Sequence, residues 1–171
     1  MIKKRCFITG IKGKKLNKRE IIFLKKFQPW GIILFSRNLE SFDQIKKLTA
    51  HIKKIFKDKN YPIIIDQEGG RVNRLYKLIS LDNYTSEYFG KIFVKNRKEF
   101  LITYKFFIDK ISFLLKNLGI NINTVPVLDL RYKNSSNIIG DRSFSRNSKI
   151  VSEIGDLCIE YFKNNSIGTV I

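Results

Sequence analysis

The sequence predicts an α/β fold built on a parallel sheet, and three observations carry that prediction. Short β-type runs alternate with segments whose apolar residues recur at helical spacing. The runs at 31–35 and 61–65 are apolar without polar alternation, as in strands covered on both faces. No Pro/Gly/Ser-rich linker divides the 171 residues, so one domain is expected.

Each element follows in order. Residues 6–9 read as a first strand. Asn17 with Glu20 three positions later forms an N-cap pair opening a helix whose apolar face is Ile21, Leu24 and Phe27, and Pro29 ends it. Residues 31–35 are the second strand. Ser41 and Gln44 cap a second helix with Phe42, Ile45, Leu48, Ile52 and Ile55 inward and Lys46, Lys47, Lys53, Lys54 and Lys57 outward. Residues 61–66 repeat the strand pattern about one βαβ unit later. A long polar and aromatic stretch from Gln67 to about Asn96 is left without an assigned element.

The clearest helix runs from near Arg97 to Leu118, with Phe100, Tyr104, Phe107, Ile108, Ile111, Leu114, Leu115 and Leu118 on its inner side and Gly119 as a left-handed stop. Residues 120–128 form a fourth strand. A last helix spans about 148–164, and Thr169, Val170 and Ile171 begin a further strand. The pattern amounts to four βα units plus the start of a fifth strand.

Composition narrows the function classes. Hydrophobic residues at 43% and aromatics at 13% exclude a disordered tail or a low-complexity array. No apolar run reaches the roughly 18 residues a membrane helix needs, and the N-terminus lacks a signal-peptide pattern, so a cytoplasmic protein with no membrane partner is expected. Cys6 and Cys158 are far apart without metal-site spacing and read as buried thiols.

The net charge of +18 raises the question of a polyanionic partner. Residues 1–86 hold 20 basic and 7 acidic groups and residues 87–171 hold 13 and 8, mostly as lysine scattered along helices. A lysine-rich solvated surface is the favoured reading, with nucleic acid the lesser one.

In parallel α/β proteins ligands collect at the carboxyl ends of the strands. The third strand ends in Asp66-Gln-Glu-Gly-Gly-Arg-Val-Asn-Arg74, so an apolar strand delivers a carboxylate, two glycines and two arginines to that end. Asp66 and Arg74 are the candidates for substrate contact. Glu68 and Arg71 read as an internal ion pair bracing the loop. Asp129 ends the fourth strand and is read equally as a ligand contact or a loop cap.

Four strings in order carry a resemblance: Gly31-Ile-Ile-Leu-Phe-Ser-Arg-Asn38, Ile65-Asp-Gln-Glu-Gly-Gly-Arg-Val-Asn-Arg74, Pro126-Val-Leu-Asp129 and Ile139-Gly-Asp-Arg-Ser-Phe144. The sequence resembles the glycoside hydrolase family 3 β-N-acetylhexosaminidases of cell-wall recycling, from about Phe7 to Ile171. The resemblance implies the N-terminal half of a TIM barrel, with residues 1–171 as a truncated family 3 domain. It implies that Asp66, Arg74 and Arg142 bind the terminal N-acetylglucosamine of muropeptide fragments, and that no metal or organic cofactor takes part. After Phe144 the family's acidic or amide residue followed by proline is replaced by Ser145-Arg-Asn-Ser148, a departure that bears on loop geometry.

The family's Lys-His-Phe-Pro-Gly-His-Gly string, its acid/base pair and its aspartate nucleophile match no residue of this sequence. The resemblance thus implies a retaining glycosidase represented by sugar-binding groups alone and inactive by itself. The single histidine, His51, lies inside the second helix and is read as a structural or surface residue. The competing reading is a noncatalytic sugar- or polyanion-binding protein. An incomplete barrel also implies self-association through unpaired edges at the first and fourth strands, with Ile33, Ile64 and Val125 lacking an opposing layer.

Overall fold

The computed structural model describes residues 5–132 and 137–171. Its elements are β1 (Arg5–Gly10), α1 (Lys18–Phe27), β2 (Pro29–Leu34), α2 (Phe42–Phe56), β3 (Ile63–Ile65), β4 (Gln67–Gly69), β5 (Val72–Asn73), α3 (Ser86–Lys95), α4 (Arg97–Asn117), β6 (Ile122–Asn123), α5 (Ser148–Asn164) and β7 (Gly168–Thr169). Short 3₁₀ turns occupy Ser36–Asn38 and Gly140–Arg142.

The main sheet runs β1-β2-β3-β6-β7, and every pair is parallel. This spatial order follows chain order, as in successive βα units. The separate β4-β5 pair is a small antiparallel hairpin between β3 and α3.

Local chemistry explains the helices. Asn17 accepts from the Glu20 amide while the Glu20 side chain accepts from the Asn17 amide, closing the expected capping box of α1. Ser41 caps α2, Thr85 caps α3, Asn96 caps α4 and Asn147 caps α5. Gly119 takes φ +75°, which is the predicted left-handed stop after α4.

One core joins sheet and helices. Ile32, Leu34, Ile63 and Ile65 pack with Leu24, Ile45, Ile52, Phe100, Ile108, Leu115, Ile154 and Phe162. By register the alternate residues Ile33, Ile64 and Ile122 form a row on the opposite face of the sheet.

Five expectations are corrected. First, the stretch after Gln67 contains the β4-β5 hairpin and the ten-residue helix α3, whose Phe89 and Phe93 are buried. Second, the fourth strand is only Ile122–Asn123, because the chain turns where the Val125 amide bonds back to the Asn123 carbonyl. Third, the sheet's open edges are β1 and β7, since β7 pairs with β6 and covers what would have been a free fourth strand.

Fourth, Ile64 is 1% exposed and Val125 7%, so neither lacks cover. Neighbouring strands enclose Ile64, whose Cδ1 lies 2.9 Å from where a Gly31 Cβ would stand. Fifth, Cys158 is buried but Cys6 is exposed, because it lies on edge strand β1. Among the described residues no helix is long and apolar enough to cross a membrane.

Candidate functional site

The site grows from the pairing of β3 with β6. Ile65 stands opposite Asn123, so the next residues, Asp66 and Thr124, emerge side by side at the carboxyl end of the sheet. The Thr124 hydroxyl donates to Asp66 Oδ1 at 2.5 Å, and Arg74 Nη2 donates to Asp66 Oδ2 at 3.1 Å. Both oxygens of a half-buried carboxylate are thereby oriented.

Amide side chains hold this end of the sheet. Buried Asn123 accepts from the Gln67 amide at 2.8 Å and donates to the Gln67 carbonyl at 3.0 Å, so it acts as one more rung of the ladder. Gln67 Nε2 donates to Asn73 Oδ1, and the Leu75 amide donates to both the Gln67 and Asn73 side-chain oxygens. These bonds fold the hairpin back so that Arg74 reaches Asp66, only eight residues away in sequence.

The hairpin turn needs its glycines. Gly69 and Gly70 have φ +101° and +53°, and a Cβ on Gly69 would lie 2.4 Å from the Tyr84 carbonyl oxygen. No L side chain fits there without moving the loop.

Glu68 points into the protein, its side chain 7% exposed, and meets Arg142 in a two-pronged pair: Nε to Oε2 at 2.8 Å and Nη2 to Oε1 at 2.7 Å. The Glu68 hydrogen bonds, followed by its charge and those of Asp129 and Asp66, hold Arg142 above the ordinary arginine range despite partial burial. Arg142 is therefore a fixed cation within the field of Asp66 and of Asp129, which lies six residues beyond the end of β6 rather than at the strand end expected for it. The Asp129 side chain belongs to an exposed residue, and its carbonyl accepts from the Ser143 hydroxyl at 2.6 Å.

The expected Glu68–Arg71 pair is corrected. Glu68 takes Arg142, while Arg71 turns outward to Asp141 at 2.8 Å and donates through Nη2 to the carbonyls of Asn137, Ile138 and Ile139. Both residues brace loops, but they join the β3 hairpin to the 137–142 segment rather than to each other. Gly69 and Gly70 turn the hairpin, and the facing segment presents Glu68 with the Arg142 guanidinium and Arg71 with the Asp141 carboxylate.

Asn38, from the first of the four strings, is fully buried and donates to the carbonyls of Ile11 and Gly13, tying the loop after β1 to that after β2. His51 is exposed on α2 in a groove with Lys14, Lys15 and Lys47, apart from the strand-end cluster. Among the described residues no group of three His, Cys, Asp or Glu side chains could hold a metal ion. Sequence reasoning missed Thr124, Asn123, Gln67 and Asn73; Asn73 sits two residues before Leu75, a turn signal that the amide spacing carries.

Comparison with known proteins places this geometry. Residues 6–171 match the model of the glycosyl hydrolase family 3 N-terminal domain. A β-hexosaminidase of Hydrogenovibrio crunogenus is 34% identical over 169 residues, which are 96% of this chain and 45% of the relative. A β-hexosaminidase of Neisseria gonorrhoeae is 36% identical over 125 residues, 72% of this chain and 34% of the relative.

The crystal structure of NagZ from Neisseria gonorrhoeae in complex with N-trifluoroacetyl-D-glucosamine superposes with a TM-score of 0.87 at 28% identity, covering 97% of this chain and 49% of that one. A family 3 β-N-acetylglucosaminidase from Paenibacillus gives 0.81 at 26% identity, covering 95% and 30%. The chain thus spans less than half the length of these relatives, and its fold is that of their N-terminal barrel units. On the match of nearly its whole length, the chain belongs to glycosyl hydrolase family 3.

Proposed function

We infer that residues 1–171 form the sugar-holding half of a β-N-acetylhexosaminidase that removes terminal β-linked N-acetylglucosamine from muropeptide fragments in the cytoplasm. The observation that carries this reading is the strand-end cluster. Asp66 is oriented by Thr124 and Arg74, Arg142 is fixed by Glu68, and the buried Arg74 Nε has no hydrogen-bond partner among the described residues. Carboxylate and guanidinium groups in a partly dry cleft suit paired hydrogen bonds to sugar hydroxyls. The gonococcal NagZ bound to an N-acylated glucosamine supports the choice of sugar. Asp129 is assigned to the same cleft through its field at Arg142.

In a retaining reaction a carboxylate attacks the anomeric carbon while an acid protonates the leaving oxygen, and the roles reverse in the second step. By the family pattern both groups lie outside this chain, whose part is to grip and orient the nonreducing sugar. The test is an amide chemical-shift titration with N-acetylglucosamine. Saturable shifts centred on Asp66, Arg74, Thr124 and Arg142, lost in Asp66→Asn, are expected. Shifts confined to other surfaces, or none at the highest soluble sugar concentration, would overturn the assignment.

A further inference from the structure

A second concavity lies beside the strand-end cluster and is unused by it. Glu87, Gly90, Lys91, Val94 and Lys95 share one face of α3, and Arg131 with the 143–146 loop forms the opposite wall of a groove of about 360 Å³. Its floor is set by Gly90, where a Cβ would fall 1.8 Å from the Phe144 carbonyl oxygen, so helix and loop meet backbone to backbone.

The charges are unevenly spent. Glu87 is engaged by Lys91 at 3.1 Å and by Arg131, which leaves the groove's only carboxylate among the described residues neutralised. Lys95 and Arg146 are exposed and have no ion-pair partner among the described residues. Between them Val94 is 68% exposed, an apolar contact in a cationic setting.

We propose that this groove binds an extended acidic peptide, with carboxylates at successive positions reaching Lys95 on one wall and Arg146 on the other and a small apolar side chain resting on Val94. Successive side chains of an extended peptide point to opposite sides, which matches cations on the facing walls of the groove. Nucleic acid is disfavoured because no exposed aromatic ring lines the groove for base stacking; Phe144 is 6% exposed and packs edge-on to Tyr104. The proposal does not depend on the sugar-site reading.

The experiment is fluorescence anisotropy of the full 171-residue chain with a fluorescein-labelled peptide of Asp-Asp-Ala repeats, at physiological ionic strength to suppress diffuse attraction to a +18 protein. The double variant Lys95→Gln/Arg146→Gln should weaken binding about tenfold or more, as expected for loss of charge-assisted hydrogen bonds. Lys46→Gln/Lys54→Gln, an equal charge change on the outer face of α2, should weaken it about twofold or less. Val94→Asp should weaken it as the groove variant does. All of these side chains are exposed, and unchanged circular dichroism checks that the variants fold. Equal losses in the two double variants, no binding of the peptide, or tighter groove-dependent binding of oligothymidylate would overturn the proposal.

Discussion

Neutralising Glu68 damages the strand ends because it leaves the partly buried Arg142 guanidinium without its counter-charge. Glu68→Gln should cost about 2 kcal/mol of unfolding free energy, below the range for fully buried pairs because Arg142 is 25% exposed. Arg71→Ala removes more hydrogen bonds from a more exposed side chain, 45% accessible, and should cost about 1 kcal/mol. Urea titration ranks the two, and the reverse order would contradict the geometry.

Burial also sets an alkaline limit. It pushes the Cys158 thiol from 9.0 up to about 12 and raises the neighbouring Tyr104, with which it shares a hydrogen bond. The native state thus holds these protons more tightly than the unfolded chain, so their contribution is intact below pH 9 and drains away as pH rises towards 12. Stability should be lower at about pH 10.5 than at about pH 8, and native protein should offer only Cys6 to a disulfide reagent. A flat profile, or rapid reaction of both thiols, would contradict this burial.

Among single residues, the placement of Asp66 at a strand end and of Arg74 close after it could be read from sequence, because both are local features, whereas their pairing was not foreseen. Nor was Thr124. Its hydroxyl meets Asp66 across 58 residues, a contact that exists only once the β3-β6 register is fixed.

At the scale of elements, the β4-β5 hairpin is the piece that aims Arg74, and Gly69 is its constraint. Gly69→Ala places a Cβ 2.4 Å from the Tyr84 carbonyl at φ +101°, so it should cost about 2 kcal/mol or more and weaken sugar binding. Gly13→Ala meets nothing within 4 Å and should change stability by about 0.5 kcal/mol at most. Thermal melts of the two variants check the contrast.

The capped, strongly periodic helices α1, α2, α4 and α5 could be read directly from sequence. Helix α3 could not, since its ten residues follow a hairpin and aromatic loop held by amide side-chain bonds between residues six apart, which leave no local sequence pattern. Strand β6 was overread because apolar residues continue to Leu128 after the ladder has ended at Asn123. An apolar run reports burial, and only pairing makes it a strand.

For the molecule as a whole, β1 and β7 are open edges, and Ile8, Val170 and Ile171 near them are 47%, 46% and 77% exposed. Such edges and apolar ends favour association. Size-exclusion chromatography with light scattering should find species larger than 20.1 kDa; a monomer with a sharp melt and no hydrophobic-dye binding would contradict this.

On the proposed reading this chain positions the sugar, and the bond-cleaving groups belong to the part of the relatives that it does not cover. The most direct measurement is hydrolysis of an aryl β-N-acetylglucosaminide by the chain alone and by the chain combined with the C-terminal half of the gonococcal relative. No turnover alone, turnover on combination, and its loss with Asp66→Ala are expected. Turnover by the isolated chain that disappears in Asp66→Ala, or combined activity indifferent to that substitution, would contradict that reading.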